Sequence, residues 1–186
     1  MRCAAHSKYI RHCAAAAMTA FALLICLTST SFSADTDNTN AAVVQVQLNA
    51  KNAGPSAVEA LTERGILRDY RFAWTSMAQA LAFNTSDPLE GPFTGPAKHW
   101  LQGTVANQQK TGLSQRYTDQ NHKLEAVFYA PEGDVIELHD TAEYQRQVLD
   151  GKNTIHDEHV VVHYVVLMTP GADRWVIRQL QAVPQF

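Results

Sequence analysis

The stretch Asp134-Val135-Ile136-Glu137-Leu138-His139-Asp140-Thr141-Ala142-Glu143-Tyr144 decides the fold. Ile136, Leu138, Ala142 and Tyr144 alternate with Glu137, His139, Thr141 and Glu143. That period of two belongs to a strand with one buried face and one polar face. Asp140 alone breaks the pattern, being a carboxylate on the apolar side.

Working outward, three turn signals divide everything after Gly112 into four runs: Pro131-Glu132-Gly133-Asp134, Asp150-Gly151-Lys152-Asn153 and Pro170-Gly171-Ala172-Asp173. The runs, residues 114–130, 135–149, 155–169 and 174–183, are rich in Val, Ile, Tyr, Phe or Trp, so they read as four strands of a meander. Upstream the period lengthens. Leu67, Tyr70, Trp74, Met77 and Leu81 fall three or four apart, which gathers them on one stripe of an amphipathic helix. Pro55, Ser56 and Glu59 have the spacing of a capping box and place a helix start at Ser56. Gly65 costs about 1 kcal/mol inside a helix, so a bend or a junction of two helices is expected there. Residues 84–95 hold Pro88, Gly91, Pro92 and Gly95 and form a loop, followed by a helix that opens at Pro96, carries Ala97, Trp100, Leu101 and Val105, and ends at Gly112. The expected fold class is therefore α+β: N-terminal helices packed on a strongly curved four-stranded antiparallel sheet.

The first 34 residues stand apart. Arg2, Lys8 and Arg11 precede an apolar run over residues 14–26, and small or polar residues follow through Ser33 and Ala34. This is the pattern of a secretory signal peptide, and the run is shorter than the roughly 20 residues that a membrane-spanning helix needs. The expected division is 1–34 signal peptide, 35–54 flexible leader with one edge strand, and 55–186 the folded domain; the expected location is periplasmic or extracellular. Removing 1–34 takes three of the 15 Lys and Arg and none of the 18 Asp and Glu, leaving a net charge of −6. No nucleic-acid partner is expected of so acidic a chain. Cys3, Cys13 and Cys26 all go with the signal, which excludes disulfides, thiolate metal sites and cysteine nucleophiles from the exported chain.

Taken together, the long second strand, the valine-rich segment 160–167 and the last strand opening Arg174-Trp175-Val176-Ile177-Arg178 resemble the nuclear transport factor 2-like superfamily, also called cystatin-like or SnoaL-like. The resemblance spans about residues 56–183. It implies a sheet curled around helices into a cone whose open end often holds an apolar ligand or an active site, and frequent dimers through the sheet. Members range from isomerases and dehydratases to non-catalytic assembly modules.

Asp140 is the first candidate. On the helix-facing side its carboxylate would be desolvated and able to act as general base, with Tyr144 or His99 as partner; cavity carboxylates serve the ketosteroid isomerases of that superfamily in this way. The commoner roles for such a residue are structural: marking a bulge, pairing with Arg178 or accepting backbone amides. The resemblance sets Tyr70, Trp74, His99 and Trp100 near the cone mouth, and Tyr129, Tyr144 and Tyr164 could supply cavity hydroxyls. Tyr70, Trp74, Trp100, Tyr129 and Tyr164 are thus the candidate ligand-binding set. His156, His159 and His163 suggest metal, but a strand separates His159 from His163 by roughly 13 Å, so no metal site is expected. No cofactor is expected either, since no phosphate loop, dinucleotide fingerprint or nucleophile elbow occurs. The leading expectation is an exported non-catalytic domain that binds a small apolar ligand or an envelope protein, as a homodimer through the sheet. The alternative is a cofactor-free proton-transfer enzyme with Asp140 as base.

Overall fold

A computed structural model describes residues 44–186, so the expected signal peptide and residues 35–43 of the expected leader lie outside the described residues. In chain order the elements are β1 (Gln45–Asn49), β2 (Gly54–Pro55), α1 (Ala60–Phe83), α2 (Gly95–Thr111), β3 (Leu113–Tyr129), β4 (Ile136–Asp150), β5 (Asn153–Pro170) and β6 (Trp175–Val183). A single 3-10 turn, Asp87–Leu89, lies between the helices.

The sheet corrects the expected fold class. It has six strands rather than four and is mixed rather than antiparallel: the order is β1-β3-β4-β5-β6, with β2 also on β3. Both β1 and β2 run parallel to β3, in the registers Val46 opposite His122 and Gly54 opposite Phe128. The helices are not N-terminal to the sheet but form the crossover between β1–β2 and β3. A parallel pair needs such a crossover, and its partner is some 75 residues away in sequence, where no local periodicity can reveal it. Pro55 fits here because an edge position leaves its missing N–H without consequence.

Helix α1 buries Ile66, Tyr70, Ala73, Trp74, Met77, Ala80 and Leu81, a stripe at helical spacing that packs on β1, β3 and β6. It runs unbroken through Gly65. A Cβ there would sit 3.6 Å from Trp175 Cδ1, so the glycine lets the Trp175 ring lie close against the helix. The expected capping box is absent: Glu59 is the cap without a side-chain bond, and the Ser56 amide donates to Tyr129 O at 3.3 Å, because β2 draws this segment onto β3. Asp69, buried near the start of α1, accepts from the Trp175 amide at 2.8 Å and from the Arg68 guanidinium, which ties the helix to β6. Helix α2 opens with Pro in its first turn and stops at Gly112, whose φ of 72° suits a residue without Cβ. Its buried residues are Ala97, Leu101, Val105 and Gln108.

Register shifts interrupt β3 against β4 between Thr118 and Asn121 and between Ala126 and Phe128; another falls at Val148/Leu149 and one at Leu167/Met168 of β5. Extra residues of this kind bend a strand and increase its twist. The apolar core fills the space between the helices and the inward faces of β3, β4 and β5.

Candidate functional site

The alternation of β4 is as the sequence dictates: Ile136, Leu138, Asp140, Ala142 and Tyr144 all point inward and are buried. Asp140 pairs in register with Leu124 on one side and Tyr164 on the other, so it marks no bulge. Nor does it meet Arg178, which is exposed. Two donors converge on one of its oxygens instead. Tyr70 Oη donates to Oδ2 at 2.7 Å from α1, and His122 Nδ1 lies 2.8 Å from the same oxygen, from β3. With Asp140 as a carboxylate, which only accepts, the imidazole is the donor through Nδ1. Asp140 and His122 are both wholly buried.

Trp74 lies at the centre of the aromatic shell around this trio. Its ring is 4.2 Å from that of His122, 5.7 Å from Tyr164, 6.0 Å from Tyr144 and 6.3 Å from Tyr70. Tyr144 and Tyr164 exchange a hydroxyl hydrogen bond at 3.1 Å, and Tyr117 stacks on Tyr144 at 4.9 Å. Burial drives every phenol here toward its neutral form. It raises Tyr70 well above the ordinary tyrosine range, helped by the negative charge of Asp140, and raises Tyr117, Tyr144 and Tyr164 in the same direction.

The structure thus brings together Asp140, Tyr70, Trp74, Tyr144 and Tyr164. The remaining candidates lie elsewhere. His99 and Trp100 are exposed on α2 and take no part in these hydrogen bonds or ring contacts, because the buried stripe of that helix runs through Ala97, Leu101 and Val105. Tyr129 closes the far end of β3, its hydroxyl over the Gly133 turn. The three histidines of β5 are engaged separately: His163 with Thr141, His159 with Glu143 and His156 beside Glu158. Sequence reasoning passed over His122. Its signal was the alternation Gln120, His122, Leu124 and Ala126 on the inward face of β3.

Chemically, a carboxylate, an imidazole and a phenol in one hydrogen-bonded chain can exchange a proton. Asp140 Oδ1, His122 Nε2 and Trp74 Nε1 are buried and have no hydrogen-bond partner among the described residues. Four surface pockets are lined by other residues. One, of about 220 Å³, lies between α1 and β3, lined by Thr75, Ala78, Gln79, Ala82 and Phe83 of the helix and Arg116, Tyr117, Thr118 and Gln120 of the strand, with Val44 at its side. Tyr117 is the wall it shares with the aromatic shell. Two more, sharing Arg68, Asp69, Asp173 and Arg174, flank the tie between α1 and β6, and the fourth lies on the outer sheet face by His139 and Phe186. No group of three or more His, Cys, Asp or Glu among the described residues is placed to hold a metal ion, and no described helix is long and apolar enough to cross a membrane.

No protein-family model and no curated protein matches the chain. Among solved structures it is similar to the intermembrane space region of the chloroplast protein ARC6, with a TM-score of 0.54 and 15% identity over 69% of this chain and 98% of that one. At that identity the likeness is one of fold alone.

Proposed function

We propose that the chain is an exported, non-catalytic binding module of the nuclear transport factor 2-like kind, and that its ligand is a small apolar molecule held between α1 and β3. The observation that carries this reading is the pocket of about 220 Å³ at that place. Its helical wall is built of small side chains, Ala78 and Ala82, its strand wall is the stacked ring of Tyr117, and Phe83 stands at its rim with 77% of its surface exposed. Concave sites with apolar walls and few polar groups are what apolar ligands require, and an exposed phenylalanine gains by being covered. Thr75 and Gln79 of the helix and Arg116, Thr118 and Gln120 of the strand are the polar groups of the lining that would orient the guest. The Asp140 cluster sits behind Tyr117 as the packed support of that wall. The acidic charge expected after signal removal argues against nucleic acid as the partner.

The test is an environment-sensitive apolar dye, followed by fluorescence with the native protein and with Ala78→Trp. The reading requires saturable binding that the tryptophan abolishes while the melting temperature holds. Equal binding by both proteins would place the ligand elsewhere.

One observation favours a second reading, proton-transfer catalysis with Asp140 as base. Asp140 Oδ1, His122 Nε2 and Trp74 Nε1, three buried polar atoms without partners among the described residues, belong to side chains of this one cluster, and such groups concentrate at functional sites. It requires that the core open to admit substrate, and its signature is a turnover that Asp140→Asn abolishes without loss of stability.

A further inference from the structure

The sheet has an unequal edge. Strand β6 covers β5 only from His163, opposite Val183, to Pro170, opposite Trp175. Residues 153–162 of β5, apart from Ile155 at a bulge, pair with β4 on one side, and no strand among the described residues pairs with them on the other. Two features keep β6 from going further. Pro184 follows Val183 and has no N–H to offer the ladder, and Phe186 lies on the outer face, stacked 4.3 Å from the His139 ring and 5.0 Å from that of His163. The open edge, Asn-Thr-Ile-His-Asp-Glu-His-Val-Val-Val, is β-branched at half its positions and has no proline and no lysine. Natural sheets blunt edges with such residues, with other charges or with bulges; here Asp157, Glu158 and the bulge at Ile155 are the only such devices, and residues 156–162 beyond the bulge present their backbone groups.

We propose that this edge pairs antiparallel with the same edge of a second copy, joining two sheets into one across a twofold axis at Glu158. The side chains select the partner and the register. Continuity of the sheet faces requires outward residues to meet outward residues; Asp157, His159 and Val161 alternate with the inward series that continues to Tyr164 and Val166, and Ile155, the extra residue of the bulge, is exposed beside them. With the axis at Glu158, Ile155 of one copy faces Val161 of the other, the two exposed apolar side chains of the segment at 57% and 55%. Asp157 then faces His159, a carboxylate against an imidazole. Sliding by two residues sets Asp157 against its own copy or against Val161, so the alternatives lose both the carboxylate–imidazole match and the apolar pair. Glu158 on the axis is held by Arg146 of its own chain, which neutralises the approach of two like charges. Cross-strand pairs of these kinds are the unit of sheet stabilisation, and the arrangement is self-complementary, as a twofold interface must be. The interface stands apart from the ligand pocket between α1 and β3, so either can fail without the other.

The experiment is light scattering and sedimentation of the protein at micromolar concentration, native and with Asp157→Lys, Asp157→Lys/His159→Asp, Ile155→Lys and Val165→Lys. All four substitutions fall on the outer face of β5, and circular dichroism verifies folding. The native protein is expected to be a dimer. Asp157→Lys and Ile155→Lys each raise its dissociation constant at least about tenfold, the double variant restores it, and Val165→Lys, on the part of β5 that β6 already covers, leaves it unchanged. A monomeric native protein overturns the proposal. So does a dimer indifferent to Asp157→Lys, or one that Val165→Lys disrupts, since that dimer would pack through the sheet faces.

Discussion

Replacing Asp140 with Asn tests what the buried cluster is for. The carboxylate accepts from Tyr70 at 2.7 Å and His122 at 2.8 Å through one oxygen, while its other oxygen has no partner among the described residues. The amide keeps an oxygen for the two donors, but hydrogen bonds to a charged acceptor become bonds to a neutral one, a loss of about 1 kcal/mol each. It also turns the second oxygen into an NH2 with no acceptor in reach, at about 1–3 kcal/mol. Relief of the carboxylate's desolvation offsets part of this, leaving a net loss of about 3 kcal/mol. For a domain of this size that is a melting temperature lower by roughly 6–12 °C. Thermal unfolding followed by circular dichroism measures it. A shift within about 2 °C would refute the structural assignment, and if it came with loss of a measurable turnover, the catalytic reading would replace it.

Other outcomes follow from the same packing. Gly65→Ala should raise stability by about 0.5–1 kcal/mol in thermal unfolding, because a Cβ there makes an ordinary 3.6 Å contact with Trp175 and the helix gains propensity. Gly112→Ala should do the reverse, since its φ of 72° is strained for any residue with a Cβ. In absorbance titration, Tyr70, Tyr117, Tyr144 and Tyr164 should stay un-ionised until the domain unfolds. Their folded pKa values lie above the unfolded value near 10, so stability is fully present below that pH and falls as pH rises beyond it; free titration of all of them near pH 10 would contradict the buried shell. Trp100→Ala should leave melting temperature and dye binding within error, the ring being 51% exposed on the outside of α2.

What the sequence disclosed was local. The period of two carried Asp140 to the inward face, and the stripe through Tyr70 and Trp74 carried those rings to the same core; turn residues such as Gly112 and Gly133 punctuated the elements where the backbone takes positive φ. What it concealed depended on distance. The pairing of β1 and β2 with β3 crosses both helices, and so β1 was read only as an edge strand of the leader, β2 was missed, and the parallel part of the sheet went unseen. Ser56 and Glu59 have a capping spacing, yet pairing of the preceding residues with β3 pulled Ser56 out of the helix. His99 and Trp100 were placed by analogy at a mouth, whereas the helix turns them outward. His122 was legible in principle, since its neighbours alternate, but a single histidine among polar residues carries no mark of the carboxylate 18 positions later that it meets.

The central claim is that this fold holds a small apolar guest between α1 and β3. Native mass spectrometry of the protein isolated from its own host tests that most directly, with Ala78→Trp isolated in parallel. The native protein is expected to carry an additional low-mass apolar species that the variant lacks. The bare mass for both, or the same adduct on both, would contradict it.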